Sequence, residues 1–482
     1  MAEFKEKPKP GEPMPERAMD ERKVKEKQKN KKKPKQAGVK PYVKKKKKGK
    51  PRKPVASLGH AAYPPVVALD VGTTKIACLI GELDADGNLV RVMGVGNVPA
   101  RGMHKGVVVD MADASASIAE SVASAASAAG VTPREAFVGV AGSHVVSMNR
   151  KVSITNPHAD GRVTPEERKG LLEKLKEVRI SEDLQLIHAL PREYILDGQD
   201  GIKRPVGMYA TKIEMSGHLV FGAINSIQNL VGATREAGLT VDDIVLEPLA
   251  SSQACLEEQE MKSGVMLVDI GGGTTDVAMF TGGRLVHTAV LPVGGNHITG
   301  DISVGLKVPL DAAEEIKIQY GHAQSHLVED IEMVKAPAGA EGSLGERQVT
   351  FSRKFLARII EARVAEIFSL VLKQARDSGY LSSVAAGIVI TGGSSQLEGI
   401  CGLAGDVTKL PARLGPPIAT GGVVDIPGNP VYATAVGLLL YGSKHIFIRG
   451  PSHLPEPSIP TSGLWNEVLA KVKGWFGRQD KT

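Results

Sequence analysis

The residues best suited to chemistry lie in two copies of one short pattern. Each copy, at residues 68–75 and 268–276, contains an apolar stretch, an aspartate, a glycine turn and two threonines, and a second apolar stretch follows. Glycines in such a turn let backbone N–H groups approach phosphate oxygens, and threonine hydroxyls add further donors. The residues placed to contact phosphates are Gly72, Thr73, Thr74 and Lys75 in the first copy and Gly271, Gly272, Gly273, Thr274 and Thr275 in the second.

An aspartate stands at the end of the first strand in each copy. Asp70 and Asp269 hold equivalent positions, so we expect them to face each other across a cleft. Carboxylate oxygens suit Mg²⁺, which keeps several water ligands when it binds a protein. The pattern therefore predicts a hydrated Mg²⁺ between the two carboxylates, with Lys75 adding positive charge near the phosphates.

Two further segments suit the nucleoside part of a nucleotide. Residues 387–395 read as a strand that runs into a Gly-Gly turn, where a bare backbone can approach a base or ribose closely. Glu314 and Lys317 lie three residues apart on a predicted helix, so both project to one side. A single glycine turn is most often only a hairpin, but two copies followed by a Gly-Gly strand end predict nucleotide binding. The residues of that last turn are Gly392, Gly393 and Ser394.

Strands and helices must hold these turns in place, and their pattern predicts an α/β fold. Apolar, β-rich segments flank both glycine hairpins. The alanine- and serine-rich stretch 112–129 is a predicted helix that ends at Gly130. Thr164 is a predicted N-cap for an amphipathic helix that begins at Pro165. A long helix is predicted to follow Phe351.

The charge of the chain is distributed very unevenly. The 482 residues carry a formal net charge of +7, but the first 53 hold 22 basic and 7 acidic residues. The rest holds 38 basic and 46 acidic residues and is therefore acidic. The basic N-terminal tail, about residues 1–62, lacks apolar periodicity and is predicted to be disordered. It is either a solvated tail or an electrostatic attachment to an anionic membrane; its few aromatic residues argue against nucleic acid as a partner.

Several other classes of protein are excluded. The three cysteines, Cys78, Cys255 and Cys401, are far apart and form no CxxC pair, which indicates a reducing compartment rather than a disulfide scaffold. Neither a secretory signal nor an uninterrupted apolar run long enough to span a membrane is present. We therefore expect the chain to stay in the cytosol.

The C-terminal segment has an apolar stripe at helical spacing after the proline-rich stretch 449–463. Such a stripe usually belongs to a helix docked on its own core, but the prolines favour a detached segment. Both tryptophans of the chain lie here, next to basic residues, and this combination favours the membrane interface. The predicted membrane-binding residues are Leu464, Trp465, Val468, Leu469, Val472, Trp475 and Phe476.

The order of these motifs resembles the superfamily of actin, the DnaK chaperones and the sugar kinases. The matching segments are 70–74, 247–250, 269–276 and 391–394. Within the superfamily, the match is close to the FtsA family of bacterial cell-division proteins, on segments 101–106, 142–144, 188–194, 316–321 and 430–435. The resemblance covers about residues 64–441 and the C-terminal end.

This resemblance implies an actin-like, duplicated ribonuclease H-like fold with ATP in the cleft between two lobes. Asp70 and Asp269 would face Mg²⁺ through water, and Glu314, Lys317 and the turn at 392–394 would contact the adenosine. Glu247 matches a position that orients the attacking water in DnaK-type relatives. FtsA proteins resemble slow ATPases, so we expect nucleotide to set conformation and polymer state rather than to drive turnover.

The resemblance also implies a domain organisation. A predicted lobe 1 is interrupted by an inserted subdomain, and lobe 2, a linker and a membrane-targeting helix follow. The predicted ranges are 1–62 for the tail, 63–150 and 231–262 for lobe 1, 151–230 for the inserted subdomain, 263–445 for lobe 2, 446–463 for the linker and 464–482 for the helix.

The partners implied by the family are the C-terminal peptide of FtsZ, further copies of the chain in a head-to-tail filament, other division proteins at the inserted subdomain, and membrane lipids. The implied location is the cytoplasmic face of the membrane at the division site. Two alternatives stay open: an actin-like scaffold for pilus or secretion assembly, and an ATPase of the chaperone or kinase type. His144 and His188 lie in family-like segments, and we expect them to be core or loop residues.

Overall fold

A computed structural model describes residues 63–337, 348–418 and 428–449. The predicted tail at 1–62 and the predicted helix at 464–482 lie outside the described residues, as does the linker from residue 450 onward.

The first lobe is built on a five-stranded sheet in the order β11-β6-β1-β2-β3. Strands β1 and β2 form the antiparallel hairpin that carries the first glycine turn, and β6 runs parallel to β1 on the other side. The elements before the insertion are β1 (Val66–Val71), β2 (Lys75–Leu83), β3 (Leu89–Pro99), β4 (Met103–His104), β5 (Val107–Val108), α1 (Met111–Ala129) and β6 (Glu135–Val140). Those after it are α3 (Ile224–Glu236), β11 (Thr240–Leu246), α4 (Glu247–Cys255) and α5 (Glu258–Ser263).

The second lobe repeats this plan with the sheet order β14-β13-β12-β17-β18. Strands β12 and β13 form the antiparallel hairpin of the second glycine turn, and β17 runs parallel to β12. The predicted α/β fold with two duplicated lobes is confirmed. The elements are β12 (Val265–Ile270), β13 (Thr275–Thr281), β14 (Arg284–Leu291), α6 (Gly295–Leu306), α7 (Leu310–Tyr320), β15 (Met333–Pro337), β16 (Gln348–Ser352), α8 (Arg353–Asp377), β17 (Ile388–Thr391), α9 (Ile400–Thr408) and β18 (Ala412–Leu414).

Small residues let helix α1 lie close to the first sheet. A Cβ at Gly96 would come within 1.8 Å of the carbonyl oxygen of Ser121, so only glycine fits there. The Ser121 hydroxyl is fully buried and donates toward the carbonyls of Ile76 and Gly96. The helix ends where the sequence predicted, at Gly130 in the left-handed conformation with φ of 69°.

The inserted subdomain is a four-stranded sheet, in the order β7-β10-β8-β9, with one helix against it. Its elements are β7 (Val145–Thr155), α2 (Pro165–Lys176), β8 (Leu184–Leu196), β9 (Gln199–Ile202) and β10 (Lys212–Ala223). Thr164 caps α2 in a capping box with Glu167. The sheet starts and ends before the predicted limits of 151–230, because β7 continues directly from the first lobe and α3 packs in the first-lobe core through Leu230 and Ala233.

The chain returns to the first lobe in its last described helix, α10 (Ala433–Arg449). Leu438 and Leu439 are fully buried in a core shared with β1 and α4. This differs from the prediction, which assigned 263–445 to the second lobe and began the linker at 446. Among the described residues, the segment Pro430–Ile448 is long and apolar enough to cross a membrane, but half of it is buried inside the protein, so we assign it to the core.

A polar seam joins the inserted sheet to the edge strand of the second lobe. On β7, the Ser147 hydroxyl donates to the carbonyl of Thr288 at 3.0 Å, and the Asn149 amide donates to the carbonyl of Val286 at 3.1 Å. His218 on β10 contacts both Asn149 and the Thr288 hydroxyl. Strands β7 and β14 are therefore joined by hydrogen bonds from side chains rather than by backbone hydrogen bonds between the two sheets.

Candidate functional site

The two glycine hairpins meet at their tips and together line a cavity of about 660 Å³. The structure brings nearly all the predicted site residues together around it; their part in binding stays a prediction. Thr275 does not line the cavity, because its fully buried hydroxyl donates to the carbonyl of Val293. The predicted residues that do are Asp70, Gly72, Thr73, Thr74, Lys75, Glu247, Asp269, Gly271, Gly272, Gly273, Thr274, Glu314, Lys317, Gly392, Gly393 and Ser394.

The two hairpins have the same turn geometry. In the first, the Gly72 N–H donates to the carbonyl of Lys75 at 3.0 Å, and in the second, the Gly271 N–H donates to the carbonyl of Thr274 at 3.0 Å. The turns are also in close contact, since a Cβ on Gly272 would lie 2.2 Å from Cγ2 of Thr74. Bare backbone at this point is therefore a requirement of the packing between the two lobes.

Lys75 carries the positive charge on the first-lobe side of the cavity. Its Nζ lies 2.5 Å from Oδ2 of Asp70. Burial alone would lower the pKa of Lys75, but the charge and hydrogen bond of Asp70, with the charges of Glu247 and Asp269, raise it. The lysine is thus a fixed cation among carboxylates.

Three further carboxylates surround this pair. Burial raises the pKa of Glu247 well above its usual range, and the charges of the neighbouring aspartates add to the effect. Burial likewise raises the pKa of Asp269, against a hydrogen bond from Ser251. Burial and the charge of Asp269 raise the pKa of Asp276 to about 8. The raised pKa values indicate that this cluster of carboxyl groups holds too little positive charge for all of them to ionise, so it favours an added cation.

The donor set fits Mg²⁺ bound through water. One oxygen of Asp276, Oδ1, is buried without a hydrogen-bond partner among the described residues. In that part of the chain, no group of three or more histidine, cysteine or acidic side chains is arranged to hold a metal directly. Mg²⁺ retains several waters and needs only one or two carboxylates, so a hydrated ion suits this site better than a fully protein-ligated one.

The second-lobe wall of the cavity carries the predicted nucleoside contacts. Lys317 Nζ lies 2.7 Å from Oε2 of Glu314, and it also donates to the Thr299 hydroxyl at 2.9 Å. Both side chains project from α7 to one side, as the three-residue spacing predicted. Ser394 follows β17 and donates to the carbonyl of Gly271 at 3.3 Å, which ties this turn to the second hairpin.

Sequence reasoning missed several residues of the site. Asp276 pairs with Asp269 across the second hairpin at the position that Ala77 holds opposite Asp70 in the first, so comparing the two copies does not single it out. Ser251, Thr299 and Thr434 carry no local signal, because each reaches the site from a helix of ordinary composition.

The two histidines of the family-like segments lie outside the cavity. His188 is buried, and its Nε2 accepts a hydrogen bond from the Leu246 N–H at 3.0 Å. Burial lowers its pKa to about 4, against the charge of Asp243. Burial also lowers the pKa of His144. His188 is thus a core residue and His144 lies in the loop before β7, as expected from the sequence.

Comparison with known families and proteins gives consistent matches. The family model described as cell division protein FtsA matches residues 266–437, and the model for the SHS2 domain inserted in FtsA matches residues 142–221. The cell division protein FtsA of Pseudomonas aeruginosa is 41% identical over 418 residues, which cover 85% of this chain and 97% of that protein. The Escherichia coli K12 and Bacillus subtilis 168 proteins of the same name are 35% and 33% identical, over 86% and 82% of this chain and 98% and 87% of their own lengths.

The fold is also similar to that of a solved structure. A chain of the PilM-PilN type IV pilus biogenesis complex superposes with a TM-score of 0.56 at 16% identity, covering 78% of this chain and 98% of its own length. At this identity the similarity concerns the fold alone.

Proposed function

The chain belongs to the FtsA family of cell division proteins. We propose that it binds ATP with Mg²⁺ in the cleft and polymerises, and that it tethers FtsZ filaments to the cytoplasmic membrane at the division site. The observation that carries the nucleotide part is the pair of matched glycine turns that line the same 660 Å³ cavity. Two sets of backbone donors at one cavity suit a phosphate chain bound beside them.

The residues that line the cleft would contact different parts of the nucleotide. The two turns would bind phosphate oxygens, while Glu314, Lys317 and the turn at Gly392 would contact the nucleoside. Asp70 and Asp269, joined by Asp276, would hold the waters of Mg²⁺, which when bound neutralises phosphate charge. Glu247 has a raised pKa and faces the same space, where it would orient a water molecule. Because the family resembles slow ATPases, we assign the nucleotide a regulatory role.

Membrane attachment would come from the apolar stripe at 464–482. Fully burying one such side chain is worth about 1.5–3 kcal/mol, but only one side of a helix formed there would enter the lipid, and forming a helix costs free energy. A single copy should therefore bind weakly. Copies on one filament would bind together through their high effective concentration, which makes polymerisation part of the attachment.

The partners follow from the family. FtsZ would bind through its C-terminal peptide, and the inserted subdomain would support head-to-tail contacts and recruit other division proteins.

The nucleotide proposal is tested by titrating the full chain with a fluorescent ATP analogue in Mg²⁺ and in EDTA. We expect saturable binding that Mg²⁺ strengthens and unlabelled ATP competes away. The Glu247→Gln variant should retain this binding while losing any measurable ATP turnover. Absence of binding under both conditions would rule the proposal out.

The tether is tested by two further assays. Deleting residues 464–482, or the change Trp475→Glu, should abolish sedimentation with anionic liposomes while leaving ATP binding intact. A peptide with the FtsZ C-terminal sequence should retain the chain in a pull-down. If the peptide does not retain the chain, a scaffold for pilus or secretion assembly becomes the better assignment.

A further inference from the structure

Asp269 is held by two hydroxyl groups from segments distant in the sequence. The Ser251 hydroxyl donates to Oδ2 of Asp269 at 2.7 Å. The Thr434 hydroxyl lies 3.0 Å from the Ser251 hydroxyl and 3.4 Å from the same carboxylate oxygen. Ser251 is fully buried, and Thr434 and Asp269 are 6% and 8% exposed. The three groups thus form a closed triangle with little access to water.

The triangle connects the two lobes at the floor of the cleft. Asp269 is the penultimate residue of β12 in the second-lobe sheet. Ser251 lies on α4, the helix that follows the first-lobe strand β11, and Thr434 lies in the first turn of α10. Ser251 is also one helical turn after Glu247, so the two side chains project from the same face of α4. The hydroxyls therefore set the position of a second-lobe carboxylate relative to the first-lobe acids.

The geometry leaves the two oxygens of Asp269 with different roles. Oδ2 accepts both hydroxyl groups, while Oδ1 lies beneath Gly392, where a Cβ would approach it to 2.3 Å. A carboxylate fixed at one oxygen cannot rotate freely, so its other edge keeps one orientation toward the cavity. Hydroxyl groups that hydrogen-bond a carboxylate in this way commonly orient it toward a metal ion and its water ligands.

We infer that Ser251 and Thr434 are positioning residues, which fix the Asp269 carboxylate so that it can hold a hydrated Mg²⁺ between the two glycine hairpins. This inference rests on the proposed Mg²⁺-nucleotide function. Neither residue contacts the nucleotide in this role; both act through Asp269.

The test compares two adjacent serines of α4 in the full-length chain. Ser251→Ala removes the contact with Asp269. Ser252→Ala is the matched control, because Ser252 is also buried but its hydroxyl donates only to the carbonyl of Leu249 in its own helix. The measurement is the Mg²⁺ concentration that half-saturates binding of the fluorescent ATP analogue, together with nucleotide affinity in EDTA. We expect Ser251→Ala to raise the Mg²⁺ requirement about tenfold and to leave the affinity in EDTA unchanged.

Two further variants separate positioning from a general structural effect. Thr434→Ser should behave like the wild type, whereas Thr434→Val should raise the Mg²⁺ requirement. In the Asp269→Asn background, adding Ser251→Ala should cause no further shift, because the hydroxyl acts only through that carboxylate.

The outcomes separate this inference from the proposed function. If the wild type binds no nucleotide, or binds it without regard to Mg²⁺, the proposed function fails and the inference fails with it. If the wild type shows the Mg²⁺ effect and Ser251→Ala matches Ser252→Ala, the inference alone is wrong. An equal loss of affinity in EDTA and in Mg²⁺ would also overturn it, since that pattern indicates a distorted cleft.

Discussion

The ring Nε2 of His218, on the inserted sheet, lies 3.0 Å from the hydroxyl of Thr288 on the second lobe. Its Nδ1 lies 2.8 Å from Oδ1 of Asn149, so both ring nitrogens have partners and the residue is only 1% exposed. Burial lowers the pKa of His218 to about 3, and the positive charges of His287 and Arg192 add to the effect.

This histidine should make the fold sensitive to acid. The unfolded chain takes up the proton near pH 6.5, whereas the folded chain does so only near pH 3, so the free energy of unfolding falls as the pH drops through this window. Between pH 7 and pH 5, the wild type should lose about 2 kcal/mol more than His218→Gln. Urea unfolding at the two pH values measures this, with His104→Gln, at an exposed site, as the control. Equal losses in all three proteins would contradict the prediction.

The Asn149 side chain should control how firmly the inserted subdomain holds the second lobe. It accepts from His218 and donates to the carbonyl of Val286, so Asn149→Ala leaves two buried groups without a partner. We expect a loss of about 1–3 kcal/mol and faster amide hydrogen exchange in β7 and β14, with no change in α2. Uniformly faster exchange across the chain would instead indicate global destabilisation.

Gly272 should tolerate no side chain. A Cβ there would meet Thr74 at 2.2 Å and force the hairpins apart, so Gly272→Ala should weaken binding of the ATP analogue by about 1.4 kcal/mol or more, which is tenfold. Gly300→Ala is the control, because nothing lies within 4 Å of its Cβ position on α6. That variant should bind normally and gain about 0.5–1 kcal/mol in stability from better helix propensity.

Lys75 should stabilise the protein most when no divalent cation is present. Lys75→Met leaves Asp70 buried and unpaired, which costs about 3 kcal/mol. In EDTA, the melting temperature should therefore fall clearly, and Mg²⁺ should restore part of it by supplying the missing charge. Lys262→Met, which removes an exposed pair with Glu258, should change the stability by less than about 1 kcal/mol. An identical melting temperature for Lys75→Met and the wild type in EDTA would refute this.

Much of the fold could be predicted from the sequence because its signals are local. The glycine turns, the cap at Thr164 and the stop at Gly130 each depend on residues within one turn of a helix or hairpin, and all three form as expected. The repeat itself also predicted which residues would meet, since two copies of one hairpin fold in the same way.

The remaining features depend on contacts between distant segments. No local pattern shows that α10 returns to the first lobe or that Ser251 and Thr434 meet at Asp269, because these residues are far apart in the chain and have ordinary neighbours. The observed limits of the insertion also differ from the predicted ones. The predicted limits fall inside β7 and α3, and because regular secondary structure continues on both sides, neither composition nor a turn marks the boundary.

The seam between β7 and β14 also bears on solubility. Strand β14 ends the second-lobe sheet, and an uncovered edge strand is a template for pairing with another chain. Ser147 and Asn149 occupy two of its outward carbonyls, so the inserted subdomain protects this edge from aggregation. A shortened chain without residues 145–223 would expose β14, and a lysine introduced on that strand would be needed to keep it soluble.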